Sequence, residues 1–304
     1  MKKLLQLLII VCPCLVAHAQ QDPLYALYLN NPAVINPAFT GINKNLMANF
    51  SYRTQWAGFD GNPTTMAANA QISILDNKLG AGLLFVNDGI GENTTTNLNA
   101  AFSYKIDFNE KIFSFGMQAG VITYKNDPIK LNINPDPANL DDPAFARVSE
   151  SQFNMGAGAV LKSEKFIVGL SVPRLLANSF ETDGMNVQLY QQHLYLFGSY
   201  VYFLNERILL KPSILLKGVK GAPLSADVNF NLEFNRNFTA GVFTRNLKAL
   251  GALVQFNLKE KYRLAYVYEI PTNKSVGTQF NTHEVMLGIR TAVFDFHDRS
   301  ISNF

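Results

Sequence analysis

Strictly alternating apolar and polar residues recur along this chain in runs of about ten, the length a tilted strand needs to cross a bilayer. From Leu224 the even positions are Leu224, Ala226, Val228, Phe230, Leu232 and Phe234, and the odd ones Ser225, Asp227, Asn229, Asn231 and Glu233. Leu98, Ala100, Phe102, Tyr104, Ile106 and Phe108 stand likewise against Asn97, Asn99, Ser103, Lys105 and Asp107. Tyr262, Leu264, Tyr266, Tyr268 and Ile270 stand against Lys261, Arg263 and Glu269. A period of two puts each set on its own strand face. Soluble sandwiches alternate too, so further features must decide. The polar rows are Asn, Asp, Glu, Lys and Arg, as in a wet lumen, and the apolar rows end in Tyr or Phe, as in an aromatic girdle.

Connection lengths add a second constraint. Asp76–Lys78, Asn109–Lys111, Ser163–Lys165, Asn205–Arg207, Asn235–Asn237 and Lys259–Lys261 are tight, and longer polar segments lie between them, above all Lys125–Ser151. The register predicts strands near 46–56, 64–75, 79–87, 95–108, 112–124, 152–162, 165–173, 192–204, 207–218, 224–234, 237–246, 249–258, 261–270 and 282–293. That is fourteen, an even number as in single-chain bacterial barrels, with the tight turns and both chain ends on one side. The expected fold is all-β, a single transmembrane antiparallel β-barrel with short periplasmic turns and longer extracellular loops. Pro212 falls inside the ninth strand, where it cannot donate to the ladder, and predicts a bulge. Val228→Arg, on the lipid face, is expected to block assembly, and Asn229→Arg, on the lumen face, to be tolerated.

A lipid-facing band also explains a shortage of charge. Only 16% of residues are charged, against about 25% in an average soluble domain. A net charge of +3 leaves no basic face for phosphates, which excludes nucleic acid as a partner. No stretch approaches the roughly 18 consecutive apolar residues of a helical span.

Residues 1–19 read as a secretory signal: Lys2 and Lys3, the apolar run Leu4–Val16, and the small-x-small site Ala17-His18-Ala19. An uncleaved anchor fits less well because the run is short for a membrane helix. A lipoprotein signal fits less well because Val11 and Pro13 precede Cys12 and Cys14 where a small residue belongs. Those are the two cysteines of the chain, so residues 20–304 have no disulfide, thiol nucleophile or thiolate metal site. Residues 20–44 form an N-terminal arm, periplasmic or lumenal, ahead of a barrel at 45–304. Asn31-Pro32 and Asn36-Pro37 favour turn initiation and predict a compact, non-strand element there.

No catalytic arrangement is recognisable. Beyond the signal the histidines are His193, His283 and His297, without a Ser–His–Asp signature or a metal-ligand spacing beside them. His283 and Glu284 are neighbours on a strand and point to opposite faces. Asp22, Asp141 and Asp142 read as loop carboxylates. An enzyme is not expected, nor any cofactor or metal.

The first strand and its loop run Tyr52-Arg53-Thr54-Gln55-Trp56-Ala57-Gly58-Phe59-Asp60-Gly61-Asn62-Pro63. Tyr52, Thr54 and Trp56 share one face, Arg53 and Gln55 the other. Trp56 suits an interface anchor, and Gly58-Phe59-Asp60-Gly61 offers two sharp turns around an exposed aromatic. With Asn36-Pro37-Ala38-Phe39-Thr40-Gly41 and Thr282-His283-Glu284-Val285-Met286-Leu287-Gly288, this block resembles the PorP/SprF family of type IX secretion outer-membrane proteins. The resemblance implies an outer-membrane location, contact with outer-membrane lipid, and export or surface anchoring of a secreted adhesin-like protein through its C-terminal domain. It also implies contact with other type IX components in the periplasm. The residues expected to meet partners are Asn36, Pro37, Phe39, Arg53, Gln55, Trp56, Gly58, Phe59, Asp60 and Gly61. The competing reading is an outer-membrane channel for uptake of small hydrophobic compounds, which would call for a longer N-terminal hatch.

Overall fold

The computed structural model describes residues 26–127, 147–176, 191–272 and 279–297, with the backbone of two short strands at 179–182 and 185–188. The signal segment 1–19, Asp22, and residues 128–146 of the expected long loop, with Asp141 and Asp142, lie outside the described residues.

The strands are β1 (Leu46–Thr54), β2 (Thr64–Ile74), β3 (Leu79–Ile90), β4 (Asn93–Phe108), β5 (Lys111–Asn126), β6 (Val148–Lys162), β7 (Phe166–Val172), β8 (Ser179–Thr182), β9 (Met185–Gln188), β10 (His193–Tyr200), β11 (Tyr202–Phe203), β12 (Ile208–Val219), β13 (Ser225–Phe234), β14 (Phe238–Arg245), β15 (Ala249–Leu258), β16 (Tyr262–Pro271) and β17 (Thr282–Thr291). Neighbours pair antiparallel, β17 returns to β1, and β10 joins β7 to β12, so the sheet closes on itself. β10 and β11 are pieces of one strand, which makes a closed wall of 14 strands. β8 and β9 pair with each other in a separate hairpin between β7 and β10.

Closure satisfies the backbone without water, as a lipid environment demands. The alternation sorts as expected. Asn97, Asn99, Ser103, Lys105, Asp227, Asn229, Asn231 and Glu233 are buried inside, while Leu98, Phe102, Tyr104, Phe230, Leu264 and Tyr266 are exposed outside.

Four connections are two-residue or three-residue turns whose central pairs have positive φ: Asn109–Glu110, Asn235–Arg236, Lys259–Glu260 and Asn246–Leu247. That is the backbone a twisted hairpin requires. Two connections at the loop end, Gly91–Glu92 and Asn246–Lys248, are as tight as those opposite. β3, β4, β5 and β6 run further toward the loop end than the alternation predicts.

Three expectations are corrected. The chain shows no bulge at Pro212. Ser199 pairs with Ser213 and Tyr202 with Leu210 in one unbroken register. The missing N–H costs only a ladder bond between β10 and β12, and on the other edge the Val201 N–H continues the β7 register by donating to the Lys165 carbonyl at 2.7 Å. Trp56 does not continue the face of Tyr52 and Thr54, since β1 ends at Thr54 and Trp56 turns the chain with φ of 55°. Asn229→Arg, expected to be tolerated on a wet lumen face, is now expected to disrupt the arm. Asn229 is 2% exposed and its Nδ2 donates to the Tyr28 hydroxyl at 2.7 Å, which leaves no room for a longer cation.

Residues 26–45 lie inside the barrel as three consecutive 3-10 turns, Leu27–Leu29, Pro32–Val34 and Pro37–Phe39. Proline opens the second and third, where its missing N–H is harmless. Asn36 caps the third by accepting from the Ala38 N–H at 2.9 Å. Tyr28, Ile35, Ala38, Phe39 and Ile42 pack in one buried cluster with Val160, Ile167, Tyr195, Phe197 and Leu215 of the wall. Ala26 and Leu27 pack on Leu253, Val267 and Met286 opposite, so the arm bridges the lumen.

Candidate functional site

The ten residues expected to meet partners fall into two groups. Asn36, Pro37, Phe39 and Arg53 are buried inside the lumen, and Gly58, Phe59, Asp60 and Gly61 are exposed on the β1–β2 loop, with Gln55 and Trp56 half-buried at its base.

Within the lumen, wall side chains capture the arm through its backbone. Asn36 Nδ2 donates to the carbonyls of Ala159 and Leu170, bridging β6 and β7. Ser171 donates to the Ile35 carbonyl, Ser114 to Ala38 and Ser103 to Thr40, at 2.6–2.7 Å. Lys105 Nζ donates to the Gly41 carbonyl at 2.5 Å, and the Gly41 N–H to Gln71. Residues that resemble a wet lining are thus occupied by a protein segment. Two inward glycines make this possible: a Cβ on Gly116 would stand 2.2 Å from Ala38 N, and one on Gly80 2.0 Å from Thr40 O.

Nearer the loop end the arm meets a row of buried charges. Arg53 lies 3.3 Å from Glu284 and 3.3 Å from Glu269, while Arg245 lies 3.5 Å from Glu269 and 3.0 Å from Asp227. Glu284, 1% exposed, accepts the backbone N–H of Ala26 at 2.8 Å and of Leu27 at 3.2 Å. Charges without a partner are costly here, and the alternation of Arg and carboxylate removes most of that cost. Tyr28 stands beside this row, and burial pushes its hydroxyl pKa up, so it remains a neutral hydrogen-bonding group. Asp227, Arg245, Glu269 and Glu284 were not among the expected site residues. Their inward position was readable from alternation; Asp227 and Arg245 face each other across β13 and β14, and the links of Arg53 to Glu284 and Glu269 depend on how β17 closes onto β1.

Arg53 and Glu284 belong to two of the sequence blocks singled out above, and the arm carries the third. His283, on the opposite face from Glu284, takes a 2.7 Å hydrogen bond with the Tyr266 hydroxyl outside the barrel.

The β1–β2 loop is firmly built. The Gln55 N–H donates to Pro63, Ala57 to Asn281 and Gly91 to Gly61, at 2.8–3.0 Å. Asn62 Nδ2 donates to Thr54 Oγ1 and to the Gln55 carbonyl. Phe59, 46% exposed, meets Phe280 edge-on at 5.5 Å between ring centroids. Among the described residues no group of three His, Asp or Glu could hold a metal ion.

A family model described as type IX secretion system membrane protein PorP/SprF matches residues 17–289. No curated protein matches by sequence. Several solved structures resemble the chain. The Acinetobacter baumannii outer membrane protein Omp33 is 8% identical, with a TM-score of 0.49 over 83% of this chain and 100% of its own. The Ralstonia pickettii toluene transporter TbuX is 8% identical, with a TM-score of 0.49 over 84% of this chain and 91% of its own. A Pseudomonas aeruginosa FadL homologue is 12% identical, with a TM-score of 0.48 over 87% of this chain and 94% of its own.

Proposed function

Because the chain belongs to the PorP/SprF family of type IX secretion system membrane proteins, an outer-membrane barrel in contact with lipid, we infer that it supports export or surface anchoring of a secreted protein by binding that protein's C-terminal domain. In this reading residues 1–19 direct export, residues 20–44 are the lumenal arm and residues 45–304 the barrel. The loop Gln55–Gly61 is the docking surface, and the turns on the opposite face meet periplasmic components of the machine.

The observation that carries the reading is the pairing of a rigid, exposed aromatic loop with an occupied lumen. Phe59 is held out by a fixed loop, where an aromatic anchor contributes most to an interface. The arm across the lumen favours binding at the rim over passage of small hydrophobic compounds through the wall. Asn36, Pro37, Phe39 and Arg53 act indirectly, by holding the loop and arm in place.

Phe59→Ala and Asp60→Ala are expected to leave the barrel folded, seen as unchanged heat-modifiable migration on a gel. Surface display of the client should drop severalfold. Normal display in both variants would remove the loop from the mechanism.

A further inference from the structure

In the half of the lumen nearest the tight turns the arm leaves space. A cavity of about 100 Å³ remains there, enough for several waters or one small ligand. One side is apolar, with Leu29, Phe39 and Ile42 of the arm facing Ile167, Phe197 and Leu253 of the wall. The other side carries Lys211, Glu233 and Arg263. Lys211 Nζ lies 2.8 Å from Glu233, so that pair is neutral together.

Arg263 is different. Among the described residues it has no carboxylate within ion-pair distance. Its Nη1 donates to the Asn30 carbonyl at 3.1 Å, and its Nε contacts Asn257 Oδ1 at 3.4 Å. Arg263 is half-buried, and a guanidinium presents its donors as a fork that fits a carboxylate.

We propose that this cavity binds a small carboxylate carrying an apolar tail, its head on Arg263 and its tail along Leu29, Phe39 and Ile42. The three ionic side chains lining the cavity sum to +1, and Arg290 nearby adds to the positive field at Arg263, which favours an anion. A neutral alcohol of the same length leaves Arg263 unmatched, and a cation is repelled. Because Leu29, Phe39 and Ile42 belong to the arm, the bound ligand ties the arm to β16.

The test is calorimetric titration of the full-length barrel, in micelles of a neutral detergent, with octanoate and with octanol. Two variants go with it. Arg263→Gln removes the cation, and Asn257→Asp sets a carboxylate beside Arg263 and satisfies it from within. Octanoate should bind once per chain, octanol about tenfold or more weakly, and each variant should lose octanoate by a similar factor. Heat-modifiable migration shows whether each variant is folded. The proposal is overturned if octanoate fails to bind the wild-type barrel, if octanoate and octanol bind alike, or if the folded Asn257→Asp barrel binds octanoate as the wild type does.

Discussion

Arg53 shows how one side chain joins distant parts of the chain. It stands on β1, its two carboxylate partners stand on β16 and β17, and Glu284 also holds the backbone of the arm. Removing one member leaves a buried charge stranded, which costs about 3–5 kcal/mol. Glu284→Ala should therefore lower the thermal midpoint of the barrel and expose the arm to protease. Arg53→Ala should do nearly as much. The double variant should cost clearly less than the sum of the two, because the second removal relieves the charge stranded by the first. Additive losses, measured by the temperature at which heat-modifiable migration collapses, would show that the pair is not coupled. Lipid-face residues obey a different rule. Val228→Arg puts a cation against hydrocarbon at a cost of about 2–4 kcal/mol near the midplane, so little folded barrel should reach the membrane. Val228→Leu is the control, and equal yields of the two would refute the outward placement.

Among the elements, the strands were far more legible than the arm. A period of two states which face each residue takes, and Leu98–Phe108 or Leu224–Phe234 fall in the sheet as their alternation requires. The compact turns of the arm were also readable, since Asn-Pro constrains the backbone locally. Its place in the lumen was not. Ser103, Ser114 and Ser171 are polar and inward whether their hydroxyls meet water or the carbonyls of Thr40, Ala38 and Ile35. Alternation is silent about what fills the interior. The glycines carried a faint signal, for Gly80 and Gly116 interrupt inward rows at the points where the arm passes. Gly116→Leu should consequently expel the third turn of the arm while the ladder of β4, β5 and β6 survives. A cysteine introduced at Ala38 would then react with a water-soluble maleimide in the Gly116→Leu barrel and stay protected in the parent. Protection in both would mean that the wall yields rather than the arm.

Across the whole molecule, the low charge fraction, the closed sheet and the occupied lumen follow from one requirement. Lipid outside removes charge from one face of every strand, so the polar groups collect within, and a wall of fourteen strands encloses more space than its own side chains fill. The arm fills much of that excess. It packs aromatic and aliphatic side chains against β6, β7, β10 and β12 on one side and β15, β16 and β17 on the other. A barrel so obstructed should be nearly silent in a planar bilayer, whatever the applied voltage. Deleting residues 26–40 removes the obstruction but leaves the wall and the Arg53–Glu284 pair, since both partners are strand residues. That variant should show steady openings whose conductance rises with salt concentration, as expected of a water-filled pore lined by Asn, Gln and Ser. Glu284→Ala, which loosens the arm without removing it, should give brief openings of the same size. If the deletion barrel folds and stays silent, the arm is not what closes the lumen; if the wild-type barrel already conducts steadily, the lumen is not closed at all.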